Sequence, residues 1–172
     1  MSESLIISND ASIDEQYQLL VKQVKSLLRK EDNLITNLSN FTAALKQTFS
    51  KISWVGFYLF DGTKLYLGPF QGKVACTEIQ IGSGVCGKSA KERKTIIVAD
   101  VDKFPGHIAC DVESRSEIVV PIIKVEKLFG VLDLDSTDYN SFNETDRKYL
   151  EELVSFLSKD LIVFFLKVFP KA

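Results

Sequence analysis

The spacing of apolar residues changes twice along the chain and divides it into three parts. Up to about residue 50 the apolar positions recur every three or four residues, which is typical of amphipathic helices. The first stripe contains Ile13, Tyr17, Leu20, Val24, Leu27 and Leu28, and the second contains Leu34, Leu38, Phe41, Leu45 and Phe49. Between residues 52 and 135 the apolar residues stand in short runs separated by turns, and helical spacing returns after Asn143. This order predicts two helices, about six short strands with one inserted helix, and a closing helix.

Capping residues mark where the first and last helices begin. Ser12 and Glu15 have the spacing of a capping box, in which the serine caps the helix and the glutamate reaches back. Asn143, with Asp146 in the following turn, predicts the start of the closing helix, which we expect to run to the chain end. Residues 1–11 precede the first cap and are predicted to be a loose tail, so a single domain is expected to span 12–172.

The middle part predicts an antiparallel sheet that is covered on both faces. The runs "ISWVGFYLF" and "KLYLGPF" flank a "DGT" turn and predict a hairpin, and "EIVVPII" and "KLFGVLDLD" flank a "KVEK" turn. Two shorter strands are expected at "TEIQIG" and "TIIVAD", with "GSGVCGKSAKERK" as a glycine-rich turn that opens a short helix. The first strand is apolar on both faces: one carries Val55, Phe57 and Leu59, and the other carries Trp54, Gly56 and Tyr58. Both faces therefore need cover, either helices on one and loops on the other or a closed pocket. The hairpins imply an antiparallel sheet with helices gathered on one face, which is an α+β fold.

The segment "GHIACDVESRSEI", residues 106–118, fits neither an alternating strand nor an amphipathic helix. It contains the only histidine, His107, three residues before Cys110, inside an irregular connection of about sixteen residues. Connections of that length are usually functional or disordered. Two interpretations stay open: a polar loop with a half-buried cysteine, or a functional loop in which His107 helps to lower the pKa of the Cys110 thiol.

The "LDLD" run places Asp133 and Asp135 on one face of a strand and Leu132 and Leu134 on the other. Two carboxylates side by side repel each other unless a cation or a shared proton lies between them. The run therefore predicts either a solvent-facing edge or a pocket wall that binds an ammonium group or supplies a proton.

Composition and charge exclude several classes of function. The 172 residues are 45% hydrophobic and 26% charged, which is globular composition, and a net charge of −2 offers no basic surface for nucleic acid. The N-terminus lacks the pattern of a secretory signal, and the apolar run "LIVFFLKVF" is far too short to cross a bilayer. An odd number of cysteines argues against a secreted disulfide framework, so we expect a cytoplasmic protein. The spacing of the cysteines is wrong for structural zinc, and no metal is predicted.

Several motifs together resemble one family. The runs "WVGFYL", "LGPFQGKVAC", "IGSGVCG", "GHIACDVESRSEIVVPI" and "GVLDLDS" are similar to those of the free methionine-(R)-sulfoxide reductases, which are stand-alone GAF domains. The likeness extends from about Trp54 to Asp135, and all three cysteines stand at the spacing of the family. It implies a GAF-like fold: a central antiparallel sheet with the N- and C-terminal helices on one face and a loop-covered pocket on the other.

The resemblance also implies roles for eight residues. Cys110 matches the nucleophile, Cys76 the main resolving thiol and Cys86 an auxiliary one. Trp54 and Tyr58 match the residues that line the pocket for the substrate methyl group. Three acids, Glu117, Asp133 and Asp135, match those that hold the amino group and the sulfoxide, without a secure division of their roles.

The activity that this resemblance implies is reduction of free L-methionine-(R)-sulfoxide through a sulfenic acid on Cys110 and an intramolecular disulfide. No cofactor is expected, because thioredoxin or a related dithiol protein would restore the thiols by exchange. The implied partners are the free amino acid and that donor, without nucleic acid or membrane, and a homodimer is allowed. The alternative is a GAF-type sensor that binds a small ligand without catalysis.

Overall fold

The computed structural model describes residues 5–6, 10–108 and 110–162. The elements, in chain order, are α1 (Ile13–Leu27), α2 (Leu34–Thr48), β1 (Trp54–Phe60), β2 (Lys64–Gln71), β3 (Glu78–Gln80), α3 (Gly84–Glu92), β4 (Ile96–Val98), a 3-10 turn (Val101–Lys103), β5 (Ser116–Lys124), β6 (Lys127–Ser136), α4 (Glu144–Phe156) and a π-helical turn (Leu157–Leu161). The order of helices and strands inferred from apolar spacing is confirmed.

The predicted helix caps are present at both ends of the fold. The Ser12 hydroxyl accepts a hydrogen bond from the backbone N–H of Glu15, and the Glu15 carboxylate accepts one from the backbone N–H of Ser12. Asn143 and Asp146 form the equivalent pair at the start of α4. Each pair satisfies backbone donors that the first helical turn leaves open, so the two helices begin where the sequence predicts.

The six strands form one antiparallel sheet in the order β3-β2-β1-β6-β5-β4. The two hairpins lie side by side, so β1 and β6 occupy the centre. The helices α1, α2 and α4 cover one face, where Val55, Phe57, Leu132 and Leu134 are buried in the main core. A second, smaller core on the opposite face includes residues of α3. The expected GAF-like α+β architecture is therefore confirmed, with α3 lying beside the pocket.

The two chain ends add detail to the sequence-based boundaries. Leu5 packs against the main core, and Ile6 exchanges two backbone hydrogen bonds with the Gln23 side chain, so these tail residues contact the domain. The closing helix is regular up to Phe156, and its predicted continuation beyond residue 162 lies outside the described residues. None of the helices in the described ranges has the length and apolar character needed to span a lipid bilayer.

One buried carboxylate holds the helical layer together. Asp146 is fully buried, and its Oδ1 accepts hydrogen bonds from Tyr17 Oη at 2.8 Å and Lys51 Nζ at 2.6 Å. We expect Asp146→Ala to lower the free energy of unfolding by about 3 kcal/mol, because it leaves a partly buried ammonium and a buried hydroxyl without their acceptor. Chemical denaturation monitored by circular dichroism measures this loss.

The exposed ion pair between Glu152 and Lys25 serves as the control for that prediction. It has a similar separation of 2.8 Å, but both side chains are more than 40% exposed. Glu152→Ala should change stability by less than about 1 kcal/mol, because solvent screens such pairs. Equal losses in the two variants would contradict a special structural role for Asp146.

Candidate active site

The register of the central strands brings the predicted pocket residues onto one face of the sheet. Trp54 of β1 pairs with Asp135 of β6, and Asp135 pairs on its other side with Glu117 of β5. Tyr58 and Asp133 share this face, since side chains two residues apart along a strand point the same way. Five side chains from three strands therefore lie on one face of the sheet, beside α3.

Two loops cover this face, and each carries one of the predicted redox cysteines. Cys76 lies between β2 and β3, and Cys110 lies in the long connection before β5. The two form a disulfide with a Cα–Cα distance of 5.5 Å, which is the pairing implied by the family resemblance. The disulfide closes the pocket. Both cysteines are only half-buried, so the disulfide itself remains accessible to solvent.

Hydrogen bonds from the pocket aromatics hold the Cys76 loop in place. The indole N–H of Trp54 donates to the carbonyl of Lys73 at 3.0 Å, and the Tyr58 hydroxyl donates to the carbonyl of Cys76 at 3.1 Å. Both donors are buried, so these bonds satisfy groups that would otherwise be unpaired. The two aromatic side chains thus form the pocket wall and also support the loop that carries the predicted resolving cysteine.

Lys73 links the two cysteine loops through its side chain. Its Nζ is 3.4 Å from Asp111 Oδ2 and also pairs with the Glu113 carboxylate, on the loop that carries Cys110. Such exposed pairs add little stability. They lie next to the disulfide and connect the same two segments.

Cys86, the third cysteine, lies in the first turn of α3 and remains a free thiol. It is 3% exposed and packs in the smaller core while also lining the pocket. Burial raises the pKa of this thiol well above its usual value, and the nearby carboxylates Asp133 and Glu117 raise it further. Cys86 is therefore protonated near neutral pH unless a cation replaces the proton.

The three pocket carboxyl groups have raised pKa values. Burial is the largest cause for each, and the neighbouring Asp133 raises the pKa of both Glu117 and Asp135 further. Burial raises the pKa of Asp133 to about 6, although the adjacent Cys86 and Glu117 partly offset this effect. At least one of these groups consequently holds a proton near neutral pH and can donate it inside the pocket.

The raised pKa of Asp133 predicts how stability depends on pH. Between pH 3.8 and about 6 the folded protein keeps the proton on this carboxyl, whereas the unfolded chain releases it. The stabilisation that is present at low pH is therefore lost as pH rises through about 6. Asp133→Asn is uncharged throughout, and we expect its melting temperature to exceed that of the parent at about pH 8 but not at about pH 4.5. Thermal unfolding at both pH values tests this.

The exposed residue Asp138, just beyond β6, provides the control. Asp138→Asn should leave the difference between the two melting temperatures unchanged. If Asp133→Asn behaved in the same way, the pocket would not disfavour the ionised carboxylate.

The pocket has a cavity of about 40 Å³ beneath the disulfide. Seven predicted site residues line it: Trp54, Tyr58, Cys86, Cys110, Glu117, Asp133 and Asp135. The eighth, Cys76, is bonded to Cys110 at its edge. Asp133 is only 6% exposed and β6 is a central strand, so the alternative of a solvent-facing edge for "LDLD" is wrong.

Comparisons with known proteins agree on the family to which this chain is similar. Residues 36–159 match the family model described as GAF domain. GAF domain-containing protein A of Dictyostelium discoideum is 52% identical over 91% of this chain and 99% of its own. The free methionine-R-sulfoxide reductase of Saccharomyces cerevisiae is 43% identical over 90% of this chain and 91% of its own. The chain belongs to the free methionine-R-sulfoxide reductase family.

A solved structure from this reductase family agrees with the fold. The free methionine-R-sulfoxide reductase of Neisseria meningitidis, described in complex with its substrate, superposes with a TM-score of 0.87. It is 44% identical in sequence, and the match covers 91% of this chain and 93% of that one.

Some features of this reductase-family pocket gave no signal in the sequence. Ser114 lies beside Asp135, where its hydrogen bond partly lowers the raised pKa of that carboxyl. Ser83, Gly84 and Val85 line the pocket at the N-terminus of α3, and Ser83 makes no side-chain cap there in the described structure. The sequence indicates His107 as a candidate residue, but it does not indicate that Glu117 is its neighbour. In the structure His107 Nε2 lies 3.7 Å from Glu117 Oε2.

Proposed function

We propose that this protein reduces free L-methionine-(R)-sulfoxide to methionine, with Cys110 as the nucleophile. The observation that carries the proposal is the convergence of Cys110 with three carboxyl groups, two buried and one half-buried, and two aromatic side chains around one cavity. A sulfoxide sulfur becomes electrophilic when its oxygen is protonated, so the reaction needs a nucleophilic sulfur and a proton donor in the same place. This pocket contains both kinds of group.

In the first step the Cys110 thiolate attacks the sulfoxide sulfur while a carboxyl group protonates the oxygen. The oxygen is transferred to give a sulfenic acid on Cys110 and free methionine, so one sulfur is oxidised as the other is reduced. The raised pKa values of Glu117 and Asp135 make these acids suited to the proton donation. Closure of the two loops over the site would exclude competing water.

The pocket also matches the charges of a free amino acid. The acids provide counter-charges for the substrate ammonium group once they ionise. The N-terminus of α3, a nine-residue helix, presents backbone N–H groups that suit a carboxylate. Trp54 and Tyr58 offer an apolar wall for the methyl group. A methionine within a peptide carries neither terminal charge and would leave both ends of the pocket unmatched.

In the second step the Cys76 thiol attacks the sulfenic acid on Cys110, which releases water and forms the disulfide. A dithiol protein such as thioredoxin then restores both thiols by exchange and is oxidised in turn. Cys86 would serve as an auxiliary thiol. We further propose a cytoplasmic location, where thiols are kept reduced, and a role against oxidative stress, since methionine sulfoxide is an oxidation product. A homodimer remains a prediction for analytical ultracentrifugation.

A coupled assay tests the proposed activity. NADPH oxidation is followed in the presence of thioredoxin, thioredoxin reductase and either the (R) or the (S) epimer of free methionine sulfoxide. We expect turnover with the (R) epimer only, and dithiothreitol in place of thioredoxin separates the reaction from the choice of donor. Binding of the (R) epimer without turnover under either donor would instead indicate a sensor.

A further inference from the structure

The floor of the pocket contains a mixed cluster of a thiol and two carboxyl groups. Cys86 of α3, Glu117 of β5 and Asp133 of β6 each place one potential ligand atom within 4.8 Å of the other two. All three residues are buried and lie on three different elements, so the fold rather than local sequence brings them together. Sequence spacing does not indicate this cluster, because its three residues are far apart along the chain.

A second observation shows that the cluster is incomplete. Asp133 Oδ1 is fully buried and receives no hydrogen bond of good geometry from the described residues, and the groups beside its carboxyl are themselves acids, Cys86 and Glu117. A buried oxygen without a donor is unfavourable unless a ligand supplies the missing interaction. The site also collects three acidic groups in a small volume, which favours a cation over a neutral ligand.

We propose that Cys86, Glu117 and Asp133 bind a thiophilic divalent cation of the Zn²⁺ class. The Cys86 thiol loses its proton to solvent, and its thiolate binds the cation together with one oxygen from each carboxylate. A sulfur ligand selects Zn²⁺ over the hard cations Mg²⁺ and Ca²⁺, which prefer oxygen. The fourth position faces the cavity of about 40 Å³, which has room for a water ligand.

The dimensions of the cluster fit a tetrahedral site. Bonds of about 2.0–2.3 Å place neighbouring ligand atoms roughly 3.3–3.7 Å apart in such a site. The three ligand atoms all lie within 4.8 Å of one another. Side-chain rotations that move these atoms by about 1 Å therefore bring them to the separations of such a site. Cys86 is the free thiol when Cys76 and Cys110 are bridged, so the site is available in the oxidised protein.

The cation and the substrate would compete for the same carboxylates. Glu117 and Asp133 are two of the acids proposed to receive the substrate ammonium group, so this consequence, unlike metal binding itself, rests on the proposed function. A bound cation would also neutralise the acids that protonate the sulfoxide oxygen. Reduction would accordingly be inhibited by free Zn²⁺ and restored by a chelator.

Titration of the oxidised protein with Co²⁺, a spectroscopic substitute for Zn²⁺, tests the site. One free thiol per chain is first confirmed by thiol titration under denaturing conditions. We expect a thiolate-to-Co²⁺ charge-transfer band in the near ultraviolet with visible bands of a tetrahedral ion, all abolished by excess Zn²⁺. Absence of the charge-transfer band in the parent protein would overturn the proposal.

Variants assign the ligands. Cys86→Ser and Cys86→Ala should remove the charge-transfer band, and Asp133→Asn should weaken Co²⁺ binding by at least about tenfold. Near-ultraviolet circular dichroism checks that each variant retains its fold. Asp111→Asn, which changes a pocket-lining acid outside the cluster, should bind Co²⁺ as the parent does. An unchanged band in both Cys86 variants would overturn the assignment.

A competition experiment keeps the two proposals distinguishable. The experiment uses the Co²⁺-loaded double variant Cys76→Ser/Cys110→Ser, which can neither form the disulfide that closes the pocket nor reduce the substrate. Free methionine-(R)-sulfoxide should weaken its charge-transfer band, and N-acetylated methionine sulfoxide should do so less. If the band forms but the free amino acid does not affect it, the metal site is supported and its overlap with the proposed ammonium site is refuted.

Discussion

Cys110→Ser should lower the rate of methionine-(R)-sulfoxide reduction by at least about a thousandfold, because a serine hydroxyl is a far weaker nucleophile than a thiolate. The structure places Cys110 at the mouth of the acid-lined cavity and bonded to Cys76, the partner expected after one catalytic cycle. The substitution removes the only atom that can accept the oxygen at this position. Methionine released from the (R) epimer, quantified by chromatography with dithiothreitol as the donor, measures the effect.

The other two cysteines provide the controls for this prediction. With thioredoxin, which acts on the disulfide, in place of dithiothreitol, Cys76→Ser should release about one methionine per chain in a rapid phase and then slow, because the sulfenic acid on Cys110 forms but loses its main resolving thiol. Cys86→Ser should retain most of its steady-state activity, since Cys76 is already placed to bond with Cys110. Substantial steady-state turnover by Cys110→Ser would contradict the mechanism. A slow phase seen only with Cys86→Ser would indicate that Cys86, and not Cys76, is the main resolving thiol.

The sequence predicts most of the fold because local rules operate over short distances. Alternation in β1 separates Val55 and Phe57 from Trp54 and Tyr58, and these pairs enter the two different cores. The capping box at Ser12 places the start of α1 at the correct residue. The end of α4 is less predictable, because the apolar pattern continues past Phe156 while the backbone changes to a π-helical turn.

The site is harder to predict from local sequence patterns, because its residues come from distant segments of the chain. Strand alternation places Asp133 and Asp135 on one face, but it cannot say whether a loop or solvent covers that face. The central position of β6 and the packing of α3 decide this, and both are tertiary properties. In the same way, nothing local to Ser114 or Lys73 indicates that one lies beside Asp135 and the other beside the Cys110 loop.

Selectivity for the free amino acid should depend on the pocket acids. N-acetylation of methionine sulfoxide removes the ammonium charge and leaves the desolvated carboxylates without a partner. A charge-assisted hydrogen bond contributes roughly 1.5–3 kcal/mol, which corresponds to a loss of about one to two orders of magnitude in kcat/KM. We expect this difference between the two substrates in the parent protein, measured as kcat/KM with dithiothreitol as the donor.

The acid variants test whether these carboxylates cause the preference. Asp133→Asn and Asp135→Asn should lose activity towards the free amino acid and narrow the ratio between the two substrates, because an amide cannot neutralise an ammonium group. Asp138→Asn, which changes an exposed acid just beyond the same strand, should preserve both the activity and the ratio. Equal rates on free and acetylated substrate in the parent would refute ammonium recognition by the acids. The acids would then act only as proton donors.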